Sequence, residues 1–263
     1  MSASSRPVVL VTGAARRLGR AMALELAAHS FDVAVHYRGS ADDARATVAE
    51  LRALGAGAEA FQADLSDEAA CRALVPAVAA HFQRLDAVVN SASVFEYDDP
   101  ASFSIAAMDK HWRANTAPAV ILAQALHVLL AGCSEDQAKS VGCVVNIIDQ
   151  KLWNPNPDYF SYTLSKAALQ AATVMLAQAL APSVRVCGVA PGVTLPSGPM
   201  DAQEFAAAHQ MTPLRRSSTP EDIARTVRFL IESPAITGTT LLVDGGQHLT
   251  AQARDVLYLA KKS

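Results

Sequence analysis

In the stretch VVLVTGAARRLG, residues 8–19, an apolar run breaks into a turn that contains two glycines. The segment that follows, AMALELAAHS, is typical of a helix. Strand, turn and helix in this order bring free backbone amides and the positive end of a helix to one point, where a pyrophosphate can bind. We therefore predict a nucleotide-binding turn in which Gly13 and Gly19 permit close backbone approach. A tight turn without a ligand is the alternative interpretation.

The remainder of the chain alternates strand-like and helical segments, and parallel strands need such crossover connections. The predicted strands lie near residues 7–12, 32–37, 58–63, 86–90, 141–148, 184–190 and 239–243. We predict an α/β fold: a doubly wound, Rossmann-type parallel sheet of about seven strands with helices on both faces. Ligands of such sheets bind at the carboxyl ends of the strands, near the switch in strand order.

Composition indicates one enzyme-sized domain, residues 1–263, with a short C-terminal extension after about residue 247. The net charge of −3 offers no basic surface for nucleic acid. The N-terminal sequence MSASSRPVVL lacks a hydrophobic targeting core, and no apolar run approaches a membrane span, so we expect a cytoplasmic protein without membrane contact. Four widely spaced cysteines lack metal-type pairing and are expected to be reduced core thiols: Cys71, Cys133, Cys143 and Cys187.

Tyr162 and Lys166 stand four residues apart at the head of the alanine-rich run SYTLSKAALQAATVMLAQAL, so a helix places them on one face. An ammonium near a phenol favours the phenolate and should lower the pKa of Tyr162 from about 10 toward working pH. This makes Tyr162 a candidate proton donor. A surface tyrosine beside a solvated lysine is the alternative for this pair taken alone.

Further motifs follow in a consistent order along nearly the whole chain. They are Thr12-Gly13 to Gly19, Asp64 after the third strand, Asn90-Ser91-Ala92-Ser93 after the fourth, Asn115, Tyr162 with Lys166, Pro191-Gly192, Thr237-Gly238 and Val243-Asp244-Gly245-Gly246. With these motifs the chain resembles the short-chain dehydrogenase/reductase family.

The resemblance implies roles for the matching positions. Tyr162 would donate the proton, Lys166 would hold the nicotinamide ribose, and Asn115 would anchor a water or bend its helix so that a proton path reaches Lys166. Asp64 would accept from the adenine amino group, although it could instead cap the next helix. The implied cofactor-binding residues also include Gly13, Leu18, Gly19, Leu65, Asn90, Ser91, Ala92, Pro191 and Gly192.

The end of the second strand, VAVHYRGS, carries no acidic residue that could bind the ribose hydroxyls of NAD. His36, Arg38 and Ser40 offer hydrogen-bond donors instead, and Arg17 of the glycine turn could join them around a 2′-phosphate. We therefore predict NADPH/NADP as the cofactor, with Arg38 as the strongest candidate. An ordinary solvated loop is the alternative for His36 and Ser40.

Two departures from the family pattern narrow the prediction. Asp149 stands thirteen residues before Tyr162, where the family usually has serine, and NSAS replaces the usual NNAG. Together with TGAARRLG, the HYR stretch at residues 36–38 and Phe95, these features resemble the pteridine reductase branch, which includes dihydromonapterin reductases. In that branch the aromatic corresponding to Phe95 covers the pterin, so Ser93, Phe95, Asp149 and Tyr162 are the expected substrate contacts. Asp149 could otherwise be a structural carboxylate.

We thus expect an NADPH-dependent reductase of a pterin-type substrate, a dihydropterin or dihydrofolate, because a carboxylate at residue 149, unless it is protonated, disfavours a plain ketone. The alternatives are a reductase of another carbonyl or imine substrate, a non-catalytic NADP-binding protein and a structural or interaction protein. Intact Tyr162, Lys166 and Asn115 argue against the non-catalytic alternative.

Three further expectations concern assembly and mobile parts. Helical runs at residues 108–130 and 162–181 are apolar over more than one face, which suits burial against the sheet and a partner. The family resemblance implies that these helices pair between subunits, so we predict a homotetramer with two-fold interfaces. The proline- and glycine-containing segment 191–199 is expected to form a substrate lid. In the tail HLTAQARDVLYLAKKS, we expect Val256, Leu257 and Leu259 to pack on a neighbouring subunit near its substrate entrance, a frayed end being the alternative.

Overall fold

The computed structural model describes residues 6–132, 141–196 and 200–260. Its centre is a parallel sheet of seven strands in the order β3-β2-β1-β4-β5-β6-β7. The strands are β1 Val8–Val11, β2 Asp32–Tyr37, β3 Ala58–Gln62, β4 Ala87–Asn90, β5 Gly142–Ile147, β6 Val184–Pro191 and β7 Thr240–Val243. All seven predicted strands are confirmed to within one residue at each end. The order reverses between β1 and β4, where a doubly wound sheet opens its ligand crevice.

Helices connect the strands on both faces of the sheet. They are α1 Arg17–Ala28, α2 Ala41–Ala53, α3 Glu68–Phe82, α4 Ile105–His111, α5 Ala117–Ala131, α6 Phe160–Ala179, α7 Ala202–Gln210, α8 Pro220–Glu232 and α9 Val256–Leu259. A π-helical turn, Trp112–Thr116, joins α4 to α5, and short 3₁₀ turns occupy Gln150–Trp153 and Gln247–Leu249.

The two faces of the sheet take alternate residues of each strand, as the period of a strand requires. In β1, Val9 and Val11 pack with α1, α2 and α8, whereas Val8 and Leu10 pack with α3 and α5. All four of these side chains are fully buried. Burial on both faces explains why β1 is an uninterrupted apolar run.

The helical stretch Ile105–Ala131 is the one part of the described chain that is long and apolar enough to cross a membrane. A core helix meets the same criterion, and Leu122 and Leu126 here lie fully buried against the sheet. The sequence-based expectation that no apolar run reaches this length is therefore wrong. In the most apolar 18-residue window of this stretch, only 39% is buried. An apolar face of the helix is therefore not covered by the rest of its own chain.

Three of the four cysteines confirm the expected buried thiols. Cys71, Cys143 and Cys187 are free and buried, and burial raises the pKa of each thiol, that of Cys71 to about 11. Cys133 lies outside the described residues.

Candidate active site

A cleft of about 790 Å³ opens at the carboxyl ends of the strands, close to the reversal in strand order. Most of the residues that the sequence predicts for the site line it. These are Gly13, Arg17, Leu18, Gly19, His36, Arg38, Ser40, Asp64, Leu65, Ser91, Ala92, Ser93, Phe95, Asp149, Tyr162, Lys166, Pro191 and Gly192. Asn90 and Asn115 lie behind its surface.

The glycine turn after β1 is shaped for close approach. Gly13 has a φ of +68°, and a side chain there would press on the backbone of Ala92, with Cβ only 3.1 Å from its Cα. A Cβ at Gly19 would collide with the carbonyl oxygen of Gly13. Arg16, the N-cap of α1, makes no side-chain capping bond, so amides of the first turn stay available to an anion. The turn therefore fits the pyrophosphate of a dinucleotide.

Thr12 links this turn to the fourth strand. Its hydroxyl accepts hydrogen bonds from the amides of Ser91 and Ala92 at 2.9 and 3.0 Å. The loops that follow β1 and β4 are thus held at a fixed spacing, which positions both against one ligand.

Arg17 occupies a strained backbone conformation, with a φ of +53°. Its guanidinium donates to the carbonyl oxygen of Pro196, 2.7 Å away, and so bridges the glycine turn to the segment after β6. Residues 197–199 of the expected lid lie outside the described residues, and α7 begins at Ala202.

His36 is placed differently from the prediction. It is only 2% exposed; its Nδ1 accepts from the amide of Gly13 at 3.1 Å, and its Nε2 lies 3.1 Å from the carbonyl oxygen of Ala63. Both ring nitrogens are therefore used within the protein, and burial lowers the pKa of the imidazole. Its side chain supports the glycine turn from below and has no nitrogen left for a 2′-phosphate, so that part of the prediction is wrong.

Arg38 and Ser40, in contrast, stand open at the end of β2, where both line the cleft. Asp64 faces them from the loop after β3 and accepts from the amide and hydroxyl of Ser66 at 3.0 and 2.7 Å. These bonds, aided by the charge of Arg38, lower the pKa of Asp64. The alternative that Asp64 caps α3 is wrong, because the cap is Asp67, whose carboxylate accepts from Ala70.

Asn90 is a second predicted cofactor-binding residue whose side chain is turned away from the cleft. Its amide donates to Oδ1 of Asn146 at 2.8 Å, and the amide of Asn146 donates to Thr173 at 2.9 Å. All three residues are buried. This chain of bonds fastens β4 to β5 and α6, and it keeps the Asn90 side chain out of the cleft.

Asn115 lies in the π-helical turn, in agreement with the expected irregularity of its helix. Its Oδ1 accepts from the amide of Val94 at 2.7 Å and from the hydroxyl of Ser93 at 3.1 Å. Its Nδ2 donates to the carbonyl of Val94 and to the Ser165 hydroxyl, each at 3.0 Å. The side chain thus ties the loop after β4 to α6, one residue before Lys166.

The centre of the cleft combines Asp149, Tyr162 and Lys166. The Tyr162 hydroxyl donates to Oδ2 of Asp149 at 2.8 Å, while Oδ1 of Asp149 accepts from the amide of Lys151. Lys166 donates to the carbonyl oxygen of Ile147 at 2.8 Å, and its Nζ lies 5.7 Å from the centre of the Tyr162 ring. One carboxylate oxygen of Asp149 is therefore structural, and the other contacts the candidate proton donor.

The predicted lowering of the Tyr162 pKa is wrong for this arrangement. Burial, reinforced by the charge of Asp149, raises the pKa of Tyr162 well above its ordinary value. Burial also raises the pKa of Asp149 and lowers the pKa of Lys166 to about 8. The sequence showed the ammonium but could not show that Asp149 comes closer to the phenol than Lys166 does. Tyr162 is thus held protonated beside a carboxyl group whose acid form is favoured.

Phe95 lies beside these groups. Its ring stacks on Tyr159 with centroids 4.0 Å apart and is nearly perpendicular to the ring of Tyr162, with centroids 4.7 Å apart. Tyr159 is buried and has a φ of +54°. Tyr159 therefore covers one side of Phe95, and the exposed remainder of the Phe95 ring, 39% of the side chain, faces outward.

The C-terminal segment completes the cleft of its own chain. The expectation that its apolar side chains pack on a neighbouring subunit is wrong for Val256 and Leu257. Asp255, Val256 and Leu257 line the cleft of their own chain, and both apolar side chains are buried. Lys151, also missed, lies beneath them and is only 4% exposed. In the sequence, only the apolar residues of the tail indicated that this segment packs against the cleft. No sequence feature pointed to Lys151.

Comparisons with known proteins agree with the fold and the site. Residues 13–248 match the family model described as enoyl-(acyl carrier protein) reductase. The crystal structure of FolM alternative dihydrofolate reductase 1 from Brucella canis complexed with NADP superposes with a TM-score of 0.87 and is 40% identical, covering 95% of this chain and 96% of that one. Pteridine reductase 1 of Leishmania tarentolae is 34% identical, with 93% of this chain and 97% of the relative covered. A 3-oxoacyl-[acyl-carrier-protein] reductase of Staphylococcus aureus is 31% identical, with 91% and 97% covered.

Proposed function

Since the chain belongs to the short-chain dehydrogenase/reductase family, we propose that it is an NADPH-dependent reductase of pterin-type substrates, a dihydropterin or dihydrofolate. The observation that carries the proposal is the contact between Asp149 and the Tyr162 hydroxyl, 2.8 Å apart in the cleft. The similarity to a pteridine reductase and to an alternative dihydrofolate reductase supports the same substrate class.

The Asp149 carboxyl group explains why a pterin suits the site better than a ketone. A serine donates a hydrogen bond to a carbonyl oxygen, whereas Asp149 in its ionised form repels the negative charge that develops there. A pterin ring instead presents nitrogens that must gain protons. Because burial favours the acid form of Asp149, this group can return a proton to Tyr162 after Tyr162 has donated its own to the substrate.

The enzyme uses NADP(H), the cofactor bound in the two Brucella structures that superpose on the chain. The reduced nicotinamide supplies a hydride when it is bound. The glycine turn and α1 would hold the pyrophosphate, Arg38 and Ser40 would face the 2′-phosphate, and Lys166 would hold the nicotinamide ribose. No acidic side chain at the end of β2 opposes a phosphate there.

Cofactor preference gives a direct test of Arg38. A charge-assisted hydrogen bond to phosphate contributes about 1.5 to 3 kcal/mol. Arg38→Ala should therefore weaken NADPH binding by roughly 10- to 100-fold, given about 1.4 kcal/mol per tenfold, and leave NADH binding nearly unchanged. Fluorescence titration with both cofactors measures this. Arg45→Ala is the matched control, because Arg45 pairs with Asp42 on the exposed surface of α2. Equal losses for both cofactors would show that Arg38 supports the fold instead.

A second candidate is reduction of another carbonyl or imine substrate, favoured by the enoyl reductase model and by the similarity to the 3-oxoacyl reductase. A non-catalytic NADP-binding protein would not require Tyr162, Asp149 and Lys166 to converge in the cleft. NADPH oxidation with a panel of dihydropterins, dihydrofolate, diketones and an acetoacetyl thioester separates these functions. Turnover of diketone or thioester without pterin would reject the pterin proposal, and NADPH binding without any turnover would reject catalysis.

We also propose a cytoplasmic homotetramer, assembled through the apolar faces that α5 and α6 leave uncovered. Val128 is 70% exposed on α5, and Met175 is 61% exposed on α6. Light scattering at micromolar concentration should give four times the mass of the 27.7 kDa chain. A monomeric mass would refute this assembly.

A further inference from the structure

The C-terminal segment Arg254–Leu257 is fastened to the loop that follows Asp149 by two ion pairs. Nζ of Lys151 lies 3.1 Å from Oδ2 of Asp255, and Nε of Arg254 donates to both carboxylate oxygens of Asp158, at 3.0 and 2.8 Å. The amide of Asp255 adds a bond to Asp158 at 2.7 Å. Lys151 is thus bound by Asp255, and Asp158 is bound by Arg254.

The Lys151–Asp255 ion pair is largely shielded from water, whereas in the Asp158–Arg254 pair the carboxylate is buried and the Arg254 side chain is 48% exposed. The side chains of Lys151 and Asp158 are only 5% and 3% exposed, and that of Asp255 is 16% exposed. A buried charge that loses its partner is strongly unfavourable, so both buried side chains require the segment to stay in place. The remaining hydrogen bond of the Lys151 ammonium goes to the carbonyl oxygen of Asp158, at 2.6 Å.

The ion pairs place two apolar side chains against the catalytic tyrosine. Val256 and Leu257 belong to a buried cluster that also contains Tyr159, Tyr162 and Met200. Both of them line the cleft, as do Asp255 and Lys151. The side chain of Asp255 also accepts from the amide of Leu257 at 3.1 Å, which orients the turn that presents these residues.

We propose that Arg254–Leu257 is a specificity element of its own subunit, in which the Lys151–Asp255 and Asp158–Arg254 ion pairs hold Val256 and Leu257 as an apolar wall of the substrate end of the cleft. The wall selects acceptors large enough to reach it, such as a flat fused ring, over small carbonyl compounds. Lys151, Asp158, Arg254 and Asp255 are positioning residues, since they act through the wall. The inference rests on the proposed function only for the identity of the acceptor.

The test compares a large acceptor with a small one. The double variant Arg254→Gln/Asp255→Asn should raise KM for dihydrobiopterin about tenfold or more, and KM for 2,3-butanedione by less than about threefold, because the small diketone does not contact the wall. The NADPH dissociation constant should stay unchanged. Leu257→Ala keeps both ion pairs but shortens the wall, and it should move KM in the same direction.

A variant at a residue that does not line the cleft serves as the control. Glu68→Gln removes the exposed ion pair with Arg72 on α3 and should change neither KM. Should the double variant fail to bind NADPH, Leu257→Ala decides alone. The inference is overturned if the variants that bind NADPH have the same KM for dihydrobiopterin as the wild type. It is also overturned if KM rises equally for dihydrobiopterin and 2,3-butanedione. If the wild type reduces no pterin, the proposed function fails, and the same comparison is made with acetoacetyl-coenzyme A as the large acceptor.

Discussion

Tyr162→Phe is expected to lower kcat by about 10²- to 10⁴-fold for every acceptor, which is the usual effect of removing a positioned proton-transfer group. The hydroxyl that is lost lies 2.8 Å from Oδ2 of Asp149. The ring itself remains, with its centre 4.7 Å from the centre of the Phe95 ring, so the shape of the cleft should be retained. Steady-state kinetics with a dihydropterin and a diketone measure the loss.

The NADPH dissociation constant of Tyr162→Phe should equal that of the wild type. Tyr97→Phe is the matched control, since its hydroxyl lies 3.5 Å from Asp158 rather than beside Asp149. That variant should keep wild-type kcat. A Tyr162→Phe enzyme that retained more than about a tenth of its activity would exclude Tyr162 as the essential proton donor.

Asp149→Ser is expected to lower kcat for a dihydropterin by about 10²- to 10⁴-fold and to leave diketone reduction unchanged or improved. Serine restores a hydrogen-bond donor for a carbonyl oxygen but cannot pass on a carboxyl proton. Serine can still accept from the amide of Lys151, so the turn after β5 should persist. Parallel kinetics on both acceptors separate the two effects.

The pH dependence of kcat tests the same group. Burial raises the pKa of Asp149, and only the acid form carries a proton to relay. Wild-type kcat for a dihydropterin should therefore be highest below this raised pKa and fall as the pH rises through it, whereas Asp149→Ser should lack that decline. Intact pterin turnover in Asp149→Ser, or a wild type that prefers the diketone, would end the pteridine assignment and leave only the broader reductase function.

The sheet could be predicted because its evidence is local. Each strand is a short apolar run between turn residues, and parallel pairing of such runs requires the helices that separate them. The glycines of the turn after β1 have an equally local signature, since a side chain at Gly13 or Gly19 would clash with nearby backbone. These features depend on neighbours in the chain, so the sequence alone was enough to place them.

The tertiary structure decided which side chains face the ligand and how they ionise. His36 and Asn90 occupy family positions, yet hydrogen bonds to Ala63 and Asn146 turn their side chains into the protein. The pKa of Tyr162 depends on burial and on Asp149 rather than on its helical neighbour Lys166 alone. Distances across the fold set these properties, and no spacing in the sequence encodes them.

The order of strands and helices, the glycine turn, and the spacing of Asp149, Tyr162 and Lys166 could all be read from the chain without a structure. Only the tertiary structure showed that Asp255 reaches Lys151 across 104 positions of the chain to close the cleft within one subunit. Secondary structure follows from the periodic burial of residues close in sequence, and this period is visible in the order of apolar and polar residues. A buried ion pair forms instead because the fold removes two distant charges from water together, and each is stable there only beside the other.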